Sequence, residues 1–271
     1  MRLSPELGHV CLESTNLMST NLQMLSIKGL SISFGGLKAL NKVSLEVNQN
    51  EVIGLIGPNG AGKTTLFNAL SGLVEIDSGV LEINGTQHKW PKPYELIDLG
   101  ISRTLQGVGL FPELSVLENV MIGGSNFARS GLISAALGLS AKDESKLKNR
   151  AMTALERVYA TGLANRRADT LDYPVTKRVA LARALISEPR ILLLDEPAGG
   201  LGPQDIEWMN SLIHNLSSQC SVILVEHHMD VVMSVCDRLY VLNFGQVIAS
   251  GDVESVRRNP DVVAAYLGAH A

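Results

Sequence analysis

The sequence predicts an α/β core interrupted by an inserted helical segment. Three observations predict it. An apolar run, Glu51-Val52-Ile53-Gly54-Leu55-Ile56, leads through a glycine-rich loop into a helix-like stretch, Leu66-Phe67-Asn68-Ala69-Leu70. Two later runs, Ile191 to Leu194 and Ser221 to Val225, are short and almost wholly apolar, the pattern of strands covered on both faces. Between the first run and these two, helical periods dominate from Leu117 to Leu185.

Residues 1–23 are expected to form an N-terminal extension. Leucine and valine are interspersed there with Glu6, His9 and Glu13, so the stretch lacks the apolar centre of a signal peptide. The regular pattern begins at Leu25, which leaves Met1, Met18 and Met24 as candidate starts. Residues 25–56 read as strands. Leu30-Ser31-Ile32-Ser33-Phe34 alternates, Gly35-Gly36 turns, and Val43, Leu45 and Val47 alternate again. Val80 to Ile83, followed by Asn84-Gly85, is a strand with a turn signal. Beyond Gln106, Lys146 to Val158 and Val179 to Ile186 have the clearest helical pattern, and Arg238 to Leu242 opens a last strand-rich section. The expected division is a core first part over 24–105, a helical subdomain over 106–187, and a core second part with a C-terminal helix over 188–271.

Composition narrows the function classes. A chain of 271 residues suits one large domain or a core with a subdomain, and 45% hydrophobic residues allow a buried interior. A formal net charge of −4 without a long basic run gives no electrostatic reason to expect nucleic acid. Arg166-Arg167 and Lys177-Arg178 are short clusters that read as solvated helix faces. Three cysteines without paired spacing point away from a disulfide framework or a zinc site and fit a reducing cytosol. No apolar stretch approaches the roughly 20 residues that span a bilayer, so a membrane role is expected to be peripheral.

Gly57-Pro58-Asn59-Gly60-Ala61-Gly62-Lys63-Thr64-Thr65 fits the G-x-x-x-x-G-K-[ST] pattern in the strand–loop–helix setting that the pattern requires. Glycines let the backbone turn tightly, so that successive N–H groups face phosphate oxygens, and the following helix adds its positive dipole end. These nine residues are candidate nucleotide contacts. Lys63 reaches the β- and γ-phosphates, and Thr64 offers its hydroxyl to Mg2+. The run ending in Asp195-Glu196-Pro197 sets two carboxylates at the C-terminal end of a buried strand, the edge where open α/β sheets bind ligands. Asp195 suits Mg2+ through its water shell, and Glu196 suits the general base that polarises an attacking water. The next apolar run ends in Glu226-His227, whose imidazole is a candidate γ-phosphate contact. Acids often end strands in turns and strand-end histidines are often structural, but a phosphate loop in the same chain favours the functional reading.

Four further stretches carry a resemblance. They are Ile101-Ser102-Arg103-Thr104-Leu105-Gln106, the run Leu110 to Val120, Val225-Glu226-His227-His228-Met229-Asp230, and Ala264-Ala265-Tyr266-Leu267-Gly268. With the phosphate loop they make the chain, from Met24 onward, similar to an ATP-binding-cassette (ABC) ATPase, most nearly the ATPase subunit of branched-chain amino-acid importers. The resemblance implies a P-loop NTPase core, ATP and Mg2+ as ligands, and ATP hydrolysis coupled to transport. It implies that Gln106 contacts the metal or the attacking water and senses the membrane subunit. It also implies that Phe34 packs on adenine, although the strand pattern equally allows Phe34 a place in the core beside Leu30 and Ile32. The implied partners are membrane permease subunits and a second ATPase subunit, at the cytoplasmic face of the inner membrane.

The resemblance breaks at two loops. The family's signature reads Leu-Ser-x-Gly-Gln or close to it, whereas the matching stretch here is Leu171-Asp172-Tyr173-Pro174-Val175. In such ATPases the signature of one subunit clamps the γ-phosphate on the phosphate loop of the other. Asp172 places an anion there, and each facing charge pair at 4 Å costs on the order of 4 kcal/mol at an effective dielectric near 20. Pro174 lacks the N–H that glycine offers. Aspartate and proline are also good helix starters. Gly199-Gly200-Leu201-Gly202 ends in glycine where Asp or Asn is usual. These departures favour a heterodimer over a homodimer, because the chain's own phosphate loop, Glu196 and His227 are intact. An ATP-binding regulatory subunit with little hydrolysis of its own is the alternative.

Overall fold

The computed structural model describes residues 22–104, 107–124, 127 and 140–268. The expected extension, with Met1 and Met18, lies outside the described residues apart from its last two positions, as does Gln106.

Two sheets build the core. The smaller is antiparallel and contains β1 (Gln23–Phe34), β2 (Leu37–Asn48), β4 (Ser78–Ile83) and β5 (Thr86–His88) in the order β2-β1-β4-β5. The larger contains β3 (Val52–Ile56), β6 (Ile101–Arg103), β7 (Ile191–Asp195), β8 (Ser221–Val225), β9 (Arg238–Asn243) and β10 (Gln246–Asp252), in the order β10-β9-β3-β8-β7-β6. Its pairings are parallel except between β9 and β10. The helices are α1 (Lys63–Leu70), α2 (Val116–Ile122), α3 (Ser140–Arg157), α4 (Tyr173–Leu185), α5 (Pro203–Ser217), α6 (Met229–Val235), α7 (Val253–Arg257) and α8 (Pro260–Gly268).

The unbroken apolar runs are explained by burial on both faces. β3, β7 and β8 are buried at every residue. Alternate residues serve opposite layers. Leu192, Leu194, Val222 and Leu224 join the helical side with Val120, Leu155 and Leu185. Ile191, Leu193, Ile223 and Val225 join the side built from α1 and the antiparallel sheet, with Leu25, Leu45, Leu66 and Phe67. β4 and β5 meet through Asn84-Gly85 at φ 51° and 71°, the left-handed pair a two-residue hairpin turn demands. α2 opens on a reciprocal cap: Ser115 Oγ accepts from the Glu118 N–H at 3.2 Å, and the Glu118 carboxylate accepts from the Ser115 N–H at 2.8 Å.

Some elements depart from the sequence expectation. α4 begins six residues before Val179, because Pro174 falls in its first turn, where a missing N–H leaves no bond unmade. The C-terminal section ends in two helices, α7 and α8, instead of one. Arg166 and Arg167 are solvent-facing but precede α4 in a loop, with Arg167 paired to Asp169 at 2.6 Å.

The end of α1 shows how closely the layers depend on single residues. Gly72 follows the cap residue Ser71 at φ 67°; its N–H donates to the Ala69 carbonyl at 3.1 Å, and the Leu73 N–H to the Asn68 carbonyl at 2.8 Å. This is a Schellman ending, and it satisfies carbonyls that the helix leaves orphaned. A Cβ on Gly72 would lie 2.1 Å from the Pro91 carbonyl oxygen. Gly72→Ala is therefore expected to destabilise the protein by about 2–4 kcal/mol, from left-handed strain and overpacking together. Thermal unfolding should show the midpoint lowered by about 5–10 °C.

Candidate functional site

The central position of β3, between β9 and β8, delivers the glycine-rich loop to the C-terminal edge of the parallel sheet. Gly57 leaves the strand at φ 148°, and a Cβ there would fall 2.1 Å from the Leu242 carbonyl oxygen on β9. Only glycine allows this approach. The loop closes on Gly62, the N-cap of α1, so that Lys63 is the first helical residue. Lys63 is 6% exposed. Its ammonium donates to the Gly57 carbonyl at 2.7 Å and to the Pro58 carbonyl at 2.9 Å. Burial pushes its pKa below the ordinary lysine value, while Glu196 and Asp195 pull it back up.

A cavity of 470 Å³ opens over this loop and is lined by Asn59 to Thr65 together with Phe34, Glu196 and His227. Phe34 is 50% exposed. The alternative that it belongs to the core is overturned: it is the last residue of β1, paired with Leu37 beyond the buried part of the hairpin.

The carboxylates come from β7. Asp195 is 3% exposed and its Oδ2 accepts from Arg103 Nη2 at 2.7 Å. Arg103, at the end of β6, also donates from Nη1 to Asn68 Oδ1 at 2.8 Å and Ser71 Oγ at 3.1 Å, and lies 5.4 Å from the centre of the Phe67 ring. The guanidinium thereby ties β6 and β7 to α1. Glu196 has φ 49°, a left-handed conformation that costs of order 1–3 kcal/mol in a residue with a side chain. Its Oε1 lies 2.9 Å from His227 Nε2, and its N–H donates to the Val225 carbonyl at 2.9 Å. Behind them Glu226, 2% exposed, accepts from the N–H groups of Ala198 at 2.8 Å, His227 at 2.8 Å and His228 at 3.1 Å. One buried carboxylate therefore fixes the loop after β7 and the turn after β8 together.

The stretch in the signature's place starts α4. Asp172 is its exposed N-cap by backbone conformation, but its carboxylate makes no capping hydrogen bond. The adjacent cluster requires a correction. Lys177 and Arg178 do not form a solvated face: Lys177 turns onto the Glu196 carbonyl at 2.9 Å, and Arg178 pairs with Asp205 at 3.0 Å over the Trp208 ring.

Arg103, Glu226 and Lys177 hold the site residues in place, a role that the sequence did not assign to any of them. A charged residue at the end of a short apolar strand must find a counter-charge when buried. That signal marks Arg103 and Glu226, but it does not name their partners.

The geometry agrees with what comparison finds. The chain matches the family described as ABC transporter over residues 40–199 and that described as Branched-chain amino acid ATP-binding cassette transporter over residues 246–271. It is similar to the high-affinity branched-chain amino acid transport ATP-binding protein LivG of Salmonella typhimurium, at 40% identity over 90% of this chain and 98% of the relative. It is 39% identical to BraF of Pseudomonas aeruginosa, described in the same words, over 90% of this chain and 98% of that one. Among solved structures, the ADP conformation of MJ1267, an ATP-binding cassette of an ABC transporter, matches with a TM-score of 0.79 at 31% identity, covering 91% of this chain and 99% of that chain.

The buried pair makes a stability prediction. Arg103→Met takes from the buried Asp195 carboxylate its ion-pair partner, and is expected to cost about 3–5 kcal/mol. The joint variant Arg103→Met with Asp195→Leu should cost clearly less than the sum of the two single variants. Urea unfolding of the three variants measures this directly.

Proposed function

The chain belongs to the ABC transporter family, and on that premise we propose that it is the ATP-hydrolysing subunit of a branched-chain amino-acid transporter in which Glu196 is the general base. One observation carries the assignment: the phosphate loop with Lys63, Glu196 and His227 lines a single cavity. The contact of the Glu196 carboxylate with His227 supports a role in which Glu196 polarises a water attacking the γ-phosphate. His227 then contacts that phosphate, Lys63 turns from its loop carbonyls to the β- and γ-oxygens, and the N–H groups of residues 59–65 cradle the tail. Phe34 stacks on the base from the exposed end of β1. Gln106, which lies outside the described residues, would contact the water or the metal and report the state of the permeases.

The donor set fits Mg2+. Thr64 and Asp195 offer hard oxygens, and the ion characteristically takes one or two carboxylates beside substrate phosphates and waters. Among the described residues no group of three His, Cys, Asp or Glu side chains forms a self-sufficient cage, which suits an ion that arrives with the nucleotide. When bound, the ion neutralises charge on the β- and γ-oxygens.

Permease subunits supply the membrane path, since among the described residues no helix is long and apolar enough to cross a membrane. In this reading the chain sits peripherally at the cytoplasmic face, and the helical subdomain expected over residues 106–187 meets the permeases. We favour a heterodimer. The exposed Asp172 carries an uncapped anion on the face where the family presents a phosphate ligand, and this supports pairing with a subunit whose signature is normal. The intact Glu196–His227 contact favours hydrolysis over a purely regulatory role.

Two experiments test these assignments. In the assembled transporter, Lys63→Ala should abolish ATP turnover, and Glu196→Gln should lower it by roughly 10²–10⁴-fold while ATP binding persists. Normal turnover by the glutamine variant would remove Glu196 from its role. For the pairing, the isolated chain should hydrolyse ATP slowly, and Asp172→Ser with Pro174→Gly should raise that rate; fast, cooperative turnover by the unmodified chain alone would contradict the heterodimer.

A further inference from the structure

The start of α4 grips the peptide that carries Glu196. Lys177, one turn into the helix, donates from Nζ to the Glu196 carbonyl at 2.9 Å. The same carbonyl accepts from the Gly199 N–H at 3.2 Å. The Lys177 ammonium lies 5.6 Å from the centre of the Tyr173 ring, and the Tyr173 hydroxyl donates to the Gly199 carbonyl at 3.3 Å. The ring also rests on Gly200, where a Cβ would come within 2.8 Å of Tyr173 Cε1. Two side chains of one helix start therefore reach residues 196, 199 and 200. The peptide they reach is the one whose left-handed φ is unfavourable and must be held by its surroundings.

We propose that Lys177 is a positioning residue for Glu196. Its charge-assisted bond holds the strained peptide with the carbonyl turned toward α4, and this keeps the side chain on the opposite side, against His227. The contact also couples two places within one subunit. The helix start that carries Asp172 and Pro174 at the subunit surface is fastened directly to the base, so a displacement of that start by a docked partner is felt at Glu196. The inference rests on Glu196 being the general base. Lys177 does not itself line the cavity and reaches its lining only through the Glu196 carbonyl, so its removal is expected to leave the phosphate loop undisturbed and to displace the carboxylate.

The test uses the complete transporter with its partner subunit and permeases. Lys177→Met removes the donor and keeps the length. It is expected to lower kcat about tenfold, the scale of a sub-ångström misplacement, with the KM for ATP changed less than twofold. Lys177→Arg should restore most of the rate. In a Glu196→Gln background, Lys177→Met should cause no further loss, because the group it positions is already gone. Unchanged kcat in Lys177→Met would overturn the proposal. So would a loss that appears equally in the Glu196→Gln background, or one that follows a lowered thermal midpoint and is not rescued by arginine, since both mark a general anchor of α4. If Lys177→Met does not fold, Lys177→Leu, which also lacks a donor, is read by the same criteria. Full turnover by Glu196→Gln alone would sink the base assignment, an outcome distinct from any of these.

Discussion

A nearly buried ammonium is the constraint on which the rest of the structure depends. Lys63 sits under its own loop, and burial of a cation is tolerated only where acceptors surround it. The Gly57 and Pro58 carbonyls supply the near contacts, and Asp195 and Glu196 supply opposing charge from β7. For those carboxylates to face the lysine, β3 and β7 must end at the same edge. That in turn requires parallel strands, both faces covered, and long connections between them. The two-layer core follows from this requirement.

The carboxylates are themselves held by groups that have no part in binding phosphate. Arg103 joins β6, β7 and α1 through one guanidinium, and Glu226 joins the loop after β7 to the turn after β8. Removing either leaves a buried charge or several orphaned amides, so the strand ends move together or not at all. Within this stiff frame Glu196 retains an unfavourable backbone conformation. Strain of this kind persists only where the surroundings over-determine it, and the bonds to Val225, Gly199 and Lys177 do so.

The altered signature stretch has a physical use inside its own chain. Pro174 sets the first turn of α4, Tyr173 packs on Gly200, and Lys177 reaches the Glu196 peptide. Asp172, by contrast, caps nothing with its side chain and faces solvent. The helix start thus has an inward face committed to the loop after β7 and an outward anion with no internal partner among the described residues. A local departure from the family pattern can therefore leave this chain's own carboxylate geometry intact while changing the charge on its surface.

Much of the fold was legible in the residues alone. Strands β3, β7 and β8 are recognisable because burial on both faces forces continuous apolar runs, and the Asn84-Gly85 turn because its dihedrals demand those residue types. The phosphate loop is legible for the same reason: close backbone approach and a helix start leave few residue choices. Contacts that join distant segments were not legible. Lys177 read as a solvated cation and Phe34 as either an adenine contact or a core residue, since spacing along a helix or strand says which face a side chain takes and not what lies opposite. Which carboxylate Arg103 meets, and that Glu226 spans two loops, depends on strand order and register. These are set by the packing of the whole sheet, so they became visible only in three dimensions.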